Sequence, residues 1–231
     1  GGTGFAGYYK NPEATAKKMI DGWYRLEDAV HLTEQGEMVY LDRVDDMRRL
    51  STGHRYPPSF IENRLRFSPF IKDAMTLGDE TRPFVAALVN VDASTLGRWA
   101  EQRGVAFTTF ADLSQNERIR ELIRDELRAV NRLLPQGSRI MRFVNFPKEL
   151  DPDEDELTRT RKLRRNYLEQ KYADFIAAVY DGRGSVQADI PVKYQDGRVG
   201  RLVAAVYVGD VEDDRQAAPT SRRPQASPAN V

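Results

Sequence analysis

The chain has 231 residues, 40% of them apolar, and its 35 Lys and Arg are balanced by 35 Asp and Glu, which predicts one large or two small packed domains and argues against a dedicated nucleic-acid or membrane-surface binder. It has no cysteine, which excludes disulfides, thiolate metal sites and a cysteine nucleophile and makes the cytoplasm the default compartment. No apolar run approaches the length of a membrane span and no signal-peptide pattern is present, although peripheral membrane contact and oligomeric state stay open.

The first residues, Gly1-Gly2-Thr3-Gly4-Phe5-Ala6-Gly7, carry no initiator methionine, so the expectation is a chain that starts inside a longer protein. Asn11-Pro12-Glu13 opens a helix predicted to run to about residue 20, with a cap, a proline and an early acid in order. Residues 22–28 are expected as a loop, and 36–41 as a turn and short strand. After a loop over 53–58, Pro58 opens a helix over 59–67, with Phe60, Ile61 and Leu65 on one side. Apolar strands are predicted over 74–77 and 84–91, and Asp92 or Ser94 caps a helix ending at Gly104. Ser114 is expected to cap a longer helix on which Ile119, Leu122, Ile123, Leu127, Val130 and Leu133 recur at helical spacing. Residues 140–146 read as a strand, 151–156 as an acidic loop and 166–180 as a helix. Then Val186, Ala188, Ile190, Val192 and Tyr194 alternate, Asp196-Gly197 signals a hairpin turn, and 202–208 return. From residue 211 the polar composition predicts a disordered tail. The order of elements predicts a small α+β domain, preceded by a remnant of another unit and followed by a β-hairpin.

Two charged stretches lie far apart. Gly22-Trp23-Tyr24-Arg25-Leu26-Glu27-Asp28 leads to Asp42-Arg43-Val44-Asp45-Asp46, while Glu156-Leu157-Thr158-Arg159-Thr160-Arg161-Lys162-Leu163-Arg164-Arg165 sits in the C-terminal third. By charge alone the second is a solvated face or a grip for phosphates of RNA or DNA. The acids Asp151, Asp153, Glu154 and Asp155 before it, and the lack of interleaved aromatics, count against nucleic acid. In order with Gly7-Tyr8-Tyr9-Lys10-Asn11-Pro12-Glu13-Ala14-Thr15 and Pro57-Pro58-Ser59-Phe60-Ile61-Glu62-Asn63, these segments resemble the adenylate-forming enzymes. The likeness is to the C-terminal part of bacterial long-chain fatty acyl-CoA synthetases, and it runs from Gly4 to Tyr180.

That resemblance implies a role for each matching position. Asp28 accepts the ribose hydroxyls of ATP, and a carboxylate suits two hydroxyl donors at once. Arg43 contacts ribose and α-phosphate, which its fork of donors fits. Asp45 is the hinge. Gly53, with His54 beside it, lies in the loop that meets the pantetheine arm of coenzyme A, where glycine permits close approach. Lys162 bridges the substrate carboxylate and the nucleotide during adenylation. The sequence departs from the family pattern at Leu26-Glu27, where Thr-Gly is usual, at Ser51-Thr52, where one of two glycines is missing, and at Arg159, which replaces a proline. His31 and His54 are too few and too far apart for a metal site or a triad, and Mg2+ is expected to arrive with ATP.

The implied organisation is the end of a large AMP-binding domain over 1–43, a catalytic lid over 44–182 with its hinge near Asp45, a hairpin over 183–210 and a tail over 211–231. The implied reaction is adenylation of a fatty acid or other carboxylate, then thioester formation with coenzyme A. The fragment alone is expected to be inactive, with the phosphate loop and acyl-binding domain upstream. The alternatives are an acyl-AMP ligase that feeds a carrier protein and a non-catalytic module that keeps the fold.

Overall fold

In the computed structural model, residues 7–193 and 199–212 are described; the expected turn at Asp196-Gly197 and the tail beyond 212 lie outside them, whereas Val211, expected in the tail, is buried in the core and its N–H bonds the Met141 carbonyl at 2.9 Å. Asn11 caps α1 (Pro12–Lys18) by accepting the Ala14 N–H at 3.0 Å. The helix stops short of its expected end because Asp21 and Gly22 both take positive φ, 51° and 79°, and close a tight hairpin between β1 (Met19–Ile20) and β2 (Trp23–Tyr24). Residue 28 does not end a loop: it opens β3 (Asp28–Leu32), which pairs antiparallel with β4 (Met38–Arg43). A 3-10 turn (Val44–Asp46) leads to the short hairpin of β5 (Arg48–Arg49) and β6 (Arg55–Tyr56).

α2 (Pro58–Leu65) begins at proline, and the residue in its cap position, Pro57, has no acceptor side chain. Asp42 of β4, 2% exposed, supplies the acceptor: its Oδ2 takes the Ser59 N–H at 2.8 Å. β7 (Ile71–Leu77) and β8 (Val85–Val91) run antiparallel, and every residue of β8 is buried. Asp92 caps α3 (Ala93–Gln102), accepting the Thr95 N–H at 2.8 Å. The expected cap at Ser114 is wrong. A capping box between Thr109 and Asp112 starts α4 (Phe110–Gln115) earlier, with Ser114 buried inside it, and the extended Asn116 breaks the run and caps α5 (Glu117–Asn131). β9 (Ile140–Asn145) then pairs parallel to β8. The expected single helix over 166–180 is two, α6 (Arg165–Lys171) and α7 (Ala173–Tyr180), separated at the non-helical Tyr172. β10 (Ser185–Lys193) and β11 (Val199–Asp210) pair antiparallel, and Val208, Gly209 and Asp210 pair with Val144, Phe143 and Arg142, which joins the hairpin to the main sheet.

The sheet order is β10-β11-β9-β8-β7, with helices on both faces. The alternation of β8 sorts the two cores. Val85, Ala87, Val89 and Val91 face one core with Ile61, Leu65, Leu96, Ile119, Ile123 and Leu127; Ala86 and Leu88 face the other with Val144, Phe146, Leu168, Tyr172 and Phe175. Among the described residues, no helix is long and apolar enough to cross a membrane.

Candidate functional site

Asp28 and Arg43 are cross-strand partners of the β3–β4 hairpin, and the Arg43 Nε lies 3.6 Å from the Asp28 Oδ1. Their side chains are 28% and 61% exposed, so the carboxylate and the guanidinium share one open surface. Glu27 beside them has φ 61°, the left-handed conformation that glycine adopts at no steric cost. The Lys18 ammonium bonds the Glu27 carboxylate and holds its pKa below the usual carboxylate range. Asp45 lies exposed in the 3-10 turn, where the Met47 N–H bonds the Arg43 carbonyl at 3.1 Å.

Gly53 has φ 84° and open space around its α-carbon, so backbone conformation is what requires glycine there. The next side chain is held from below: His54 Nε2 lies 2.9 Å from Ser138 Oγ, and the ring covers Gly137 so closely that a Cβ there would meet it at 2.7 Å. His31 and His54, distant in sequence, line one apolar cavity of about 280 Å³ with Val39, Leu41 and Phe60. Among the described residues no cluster of three metal-ligating side chains is present.

Lys162 ends a tight turn. The Thr158 N–H bonds the Lys162 carbonyl at 2.8 Å, the Lys162 N–H bonds Thr158 Oγ1 at 3.0 Å, and Leu157 bridges to Leu163. Arg161 takes φ 59° to close it. The Lys162 side chain is exposed and has no ion pair or hydrogen bond among the described residues. No bond joins it to Asp28 or Arg43. The neighbouring arginines differ: Arg164 pairs with Asp155, and Arg165 turns inward, which leaves only part of the basic run facing solvent.

Beneath the turn are residues that the linear reading placed in an acidic loop or a plain helix. Glu156 is 0% exposed. Its Oε2 accepts Lys148 Nζ at 2.7 Å and the Asp151 N–H at 2.9 Å, and its Oε1 accepts the Tyr172 hydroxyl at 2.6 Å and Lys171 Nζ at 2.9 Å. Glu154 joins the cluster, 2.6 Å from Lys171 and 3.1 Å from Lys148. Burial, reinforced by the Glu156 charge, raises the Tyr172 pKa far above the usual phenol range, so the hydroxyl stays a donor. Burial opposes the Lys171 ammonium, but the bonds to Glu154 and Glu156 outweigh it and raise its pKa. On the other side, Arg165 donates to Glu62 Oε1 at 2.6 Å and to the Thr76 carbonyl at 2.8 Å, while Glu62 Oε1 also accepts the Thr76 N–H and hydroxyl at 2.7 Å each. A signal for Glu62 existed in the sequence, as a carboxylate beside Ile61 on an apolar helix face. None marked Glu156 among five acids.

The family model of the AMP-binding enzyme C-terminal domain matches residues 45–184. Among curated proteins, the chain is 28% identical over 182 residues to the long-chain-fatty-acid–CoA ligase FadD15 of Mycobacterium tuberculosis, covering 78% of this chain and 30% of that one. It is 31% identical over 179 residues to long chain acyl-CoA synthetase 1 of Arabidopsis thaliana, covering 76% of this chain and 27% of that one. Among solved structures, the adenylation domain of the carboxylate reductase from Mycobacterium chelonae superposes with a TM-score of 0.53 at 27% identity, over 77% of this chain and 26% of that one. The chain thus spans 30% or less of the length of these relatives. With the five-stranded sheet and its helices in place and the family model matched over most of it, the chain belongs to the family of AMP-binding enzyme C-terminal domains.

Proposed function

We propose that this chain is the C-terminal part of an ATP-dependent long-chain fatty acid–CoA ligase, with residues 44–182 as its mobile lid and Lys162 as the cation that serves carboxylate adenylation. One observation carries the reading: an exposed ammonium with no partner of its own, presented on a turn closed by its own backbone. ATP would supply the electrophilic α-phosphate, and coenzyme A the thiol that takes the acyl group from AMP. Lys162 is a compact charge on a flexible stem and would follow negative charge as it builds on phosphate oxygens. Asp28 would accept ribose hydroxyls, and Arg43 would offer its fork to ribose and phosphate oxygens. Both lie on an open hairpin and Glu27 is neutralised by Lys18, so the groups present fit an anionic nucleotide. Mg2+ would come with ATP, held largely by phosphates.

Reorientation about the turn that carries Asp45 would then exchange the Lys162 face for the Gly53–His54 loop. In this reading residues 1–43 close the large nucleotide-binding domain, 44–182 form the lid and 183–210 extend its sheet. The acyl class follows the names of the curated relatives, and a cytoplasmic location goes with that activity. The likeness to a carboxylate reductase adenylation domain keeps a second acceptor in view, a carrier protein in place of coenzyme A.

The test uses the intact protein, ATP and a series of fatty acids. Lys162→Ala should lower ATP–pyrophosphate exchange on the order of 10²-fold or more. Exchange at the parent rate refutes the lysine assignment. Competition between coenzyme A and a carrier-protein thiol for the activated acyl group decides the acceptor.

A further inference from the structure

The Lys162 turn stands on two charge clusters, one at each foot, the first buried and the second half-buried. The first foot is Glu156. Its carboxylate is tied to Lys148, Lys171 and Tyr172, and its own carbonyl accepts the Arg164 N–H at 2.9 Å, which closes the base of the turn. The second foot is Arg165, whose fork spans Glu62 Oε1 and the Thr76 carbonyl. The two clusters draw on opposite faces of the sheet. Tyr172 packs in the α6–α7 core, while Glu62 sits on α2 beside Ile61 and Leu65 of the other core. The turn is therefore fixed against both layers of the lid.

Stability alone does not call for this arrangement. Buried ion pairs are often replaceable by apolar groups without loss, because desolvation offsets their attraction. A surface turn, moreover, needs only its own backbone bonds. What two opposed clusters add is a single geometry for the turn between them. We infer that Glu156 and Arg165 are positioning residues that hold Lys162 at its working place, an inference that rests on the reading of Lys162 as the adenylation cation.

Arg165 gives the cleaner experiment. Arg165→Lys keeps the charge, but an ammonium does not reproduce the fork that reaches both Glu62 and Thr76. In the intact enzyme we expect its kcat for ATP–pyrophosphate exchange to fall between about 10- and 100-fold, the scale of loss for a small misplacement of a catalytic group. The KM for ATP should hold, and thioester formation from supplied acyl-adenylate should persist. Glu156→Gln should give the same split. If that variant does not fold, Arg165→Lys carries the test by itself.

The decisive comparison is the double variant. On a Lys162→Ala background, Arg165→Lys should cost nothing further in exchange, since the group it positions is gone. A full additional loss there overturns the positioning inference while the lysine assignment stands. So does a parallel fall of both half-reactions together with the melting temperature, which marks a scaffold role. An exchange rate that Lys162→Ala leaves untouched overturns the assignment and the positioning inference with it.

Discussion

Asp42 offers a quantitative check on how α2 is anchored to the β3–β4 hairpin. Its carboxylate is 2% exposed and accepts two backbone N–H groups, from Ser59 at 2.8 Å and from Arg43 at 3.0 Å. It acts as the N-cap that Pro57 cannot provide. Asp42→Ala removes both acceptors. Loss of a cap costs about 1 kcal/mol, and each buried donor left unpaired costs about 1–3 kcal/mol. Ser59 is half-buried and Arg43 exposed, so water repairs part of that loss. The sum is about 2 kcal/mol, or about 4–8 °C in melting temperature for a protein of this size. Asp42→Asn keeps one carbonyl acceptor, for the Ser59 N–H, but turns its NH2 toward the exposed Arg43 N–H, so it should cost about 1 kcal/mol, less than Asp42→Ala. Urea unfolding followed through Trp99, which packs on the first core, measures both variants, with the slope against urea unchanged. Because Asp42 precedes the Val44–Asp46 turn and Ser59 follows it, hydrogen exchange at the Ser59 amide should quicken in parallel. Equal losses for Ala and Asn, or a loss for Ala within about 0.5 kcal/mol of zero, refute the capping argument.

The remaining predictions concern backbone strain and pH. Glu27 holds φ 61°, which costs a non-glycine residue roughly 1 kcal/mol. Its bond to Lys18 lies at the surface, where such pairs contribute little. Glu27→Gly should therefore be close to neutral in urea unfolding, and Glu27→Ala should be the less stable of the two by about 1 kcal/mol; the reverse order refutes the strain argument. Asp112 is held below the usual carboxylate range by hydrogen bonds from Thr108 and Thr109. A depressed folded pKa contributes stability above the unfolded value near 3.9 and loses it as pH falls through the folded value. NMR titration should place the Asp112 midpoint below that of a free aspartate. Thr108→Ala should move it upward, and a midpoint that does not move rules out the hydroxyl as the cause.

Much of this protein was legible in linear order. β8 is apolar at every position but Asn90 and is the fully buried centre of the sheet, because a strand covered on both faces needs no polar side. Asn11 and Asp92 announced their helices because capping is local chemistry, settled within three residues. Asp28 and Arg43 stood in the expected order and proved to be cross-strand partners, and Lys162 proved to be exposed. Where local reading failed, a competing local signal had been passed over. The Asp21-Gly22 turn pulled residues 19 and 20 out of a helix, and the Thr109–Asp112 box displaced Ser114 as a cap.

The fate of the charges was decided elsewhere. Asp155 and Glu156 are neighbours of like charge, yet one is exposed and the other fully buried. Arg164 and Arg165 adjoin, yet one pairs at the surface and the other reaches Glu62, distant in sequence. Charge type and motif order are written in the chain. Whether a charge faces water or a buried partner depends on what the fold brings beside it, since burial is tolerated only where opposite charge and hydrogen bonds meet it. For this protein, the sequence determined the family and the strands of the main sheet; the tertiary structure decided which charges are buried against partners and which remain exposed.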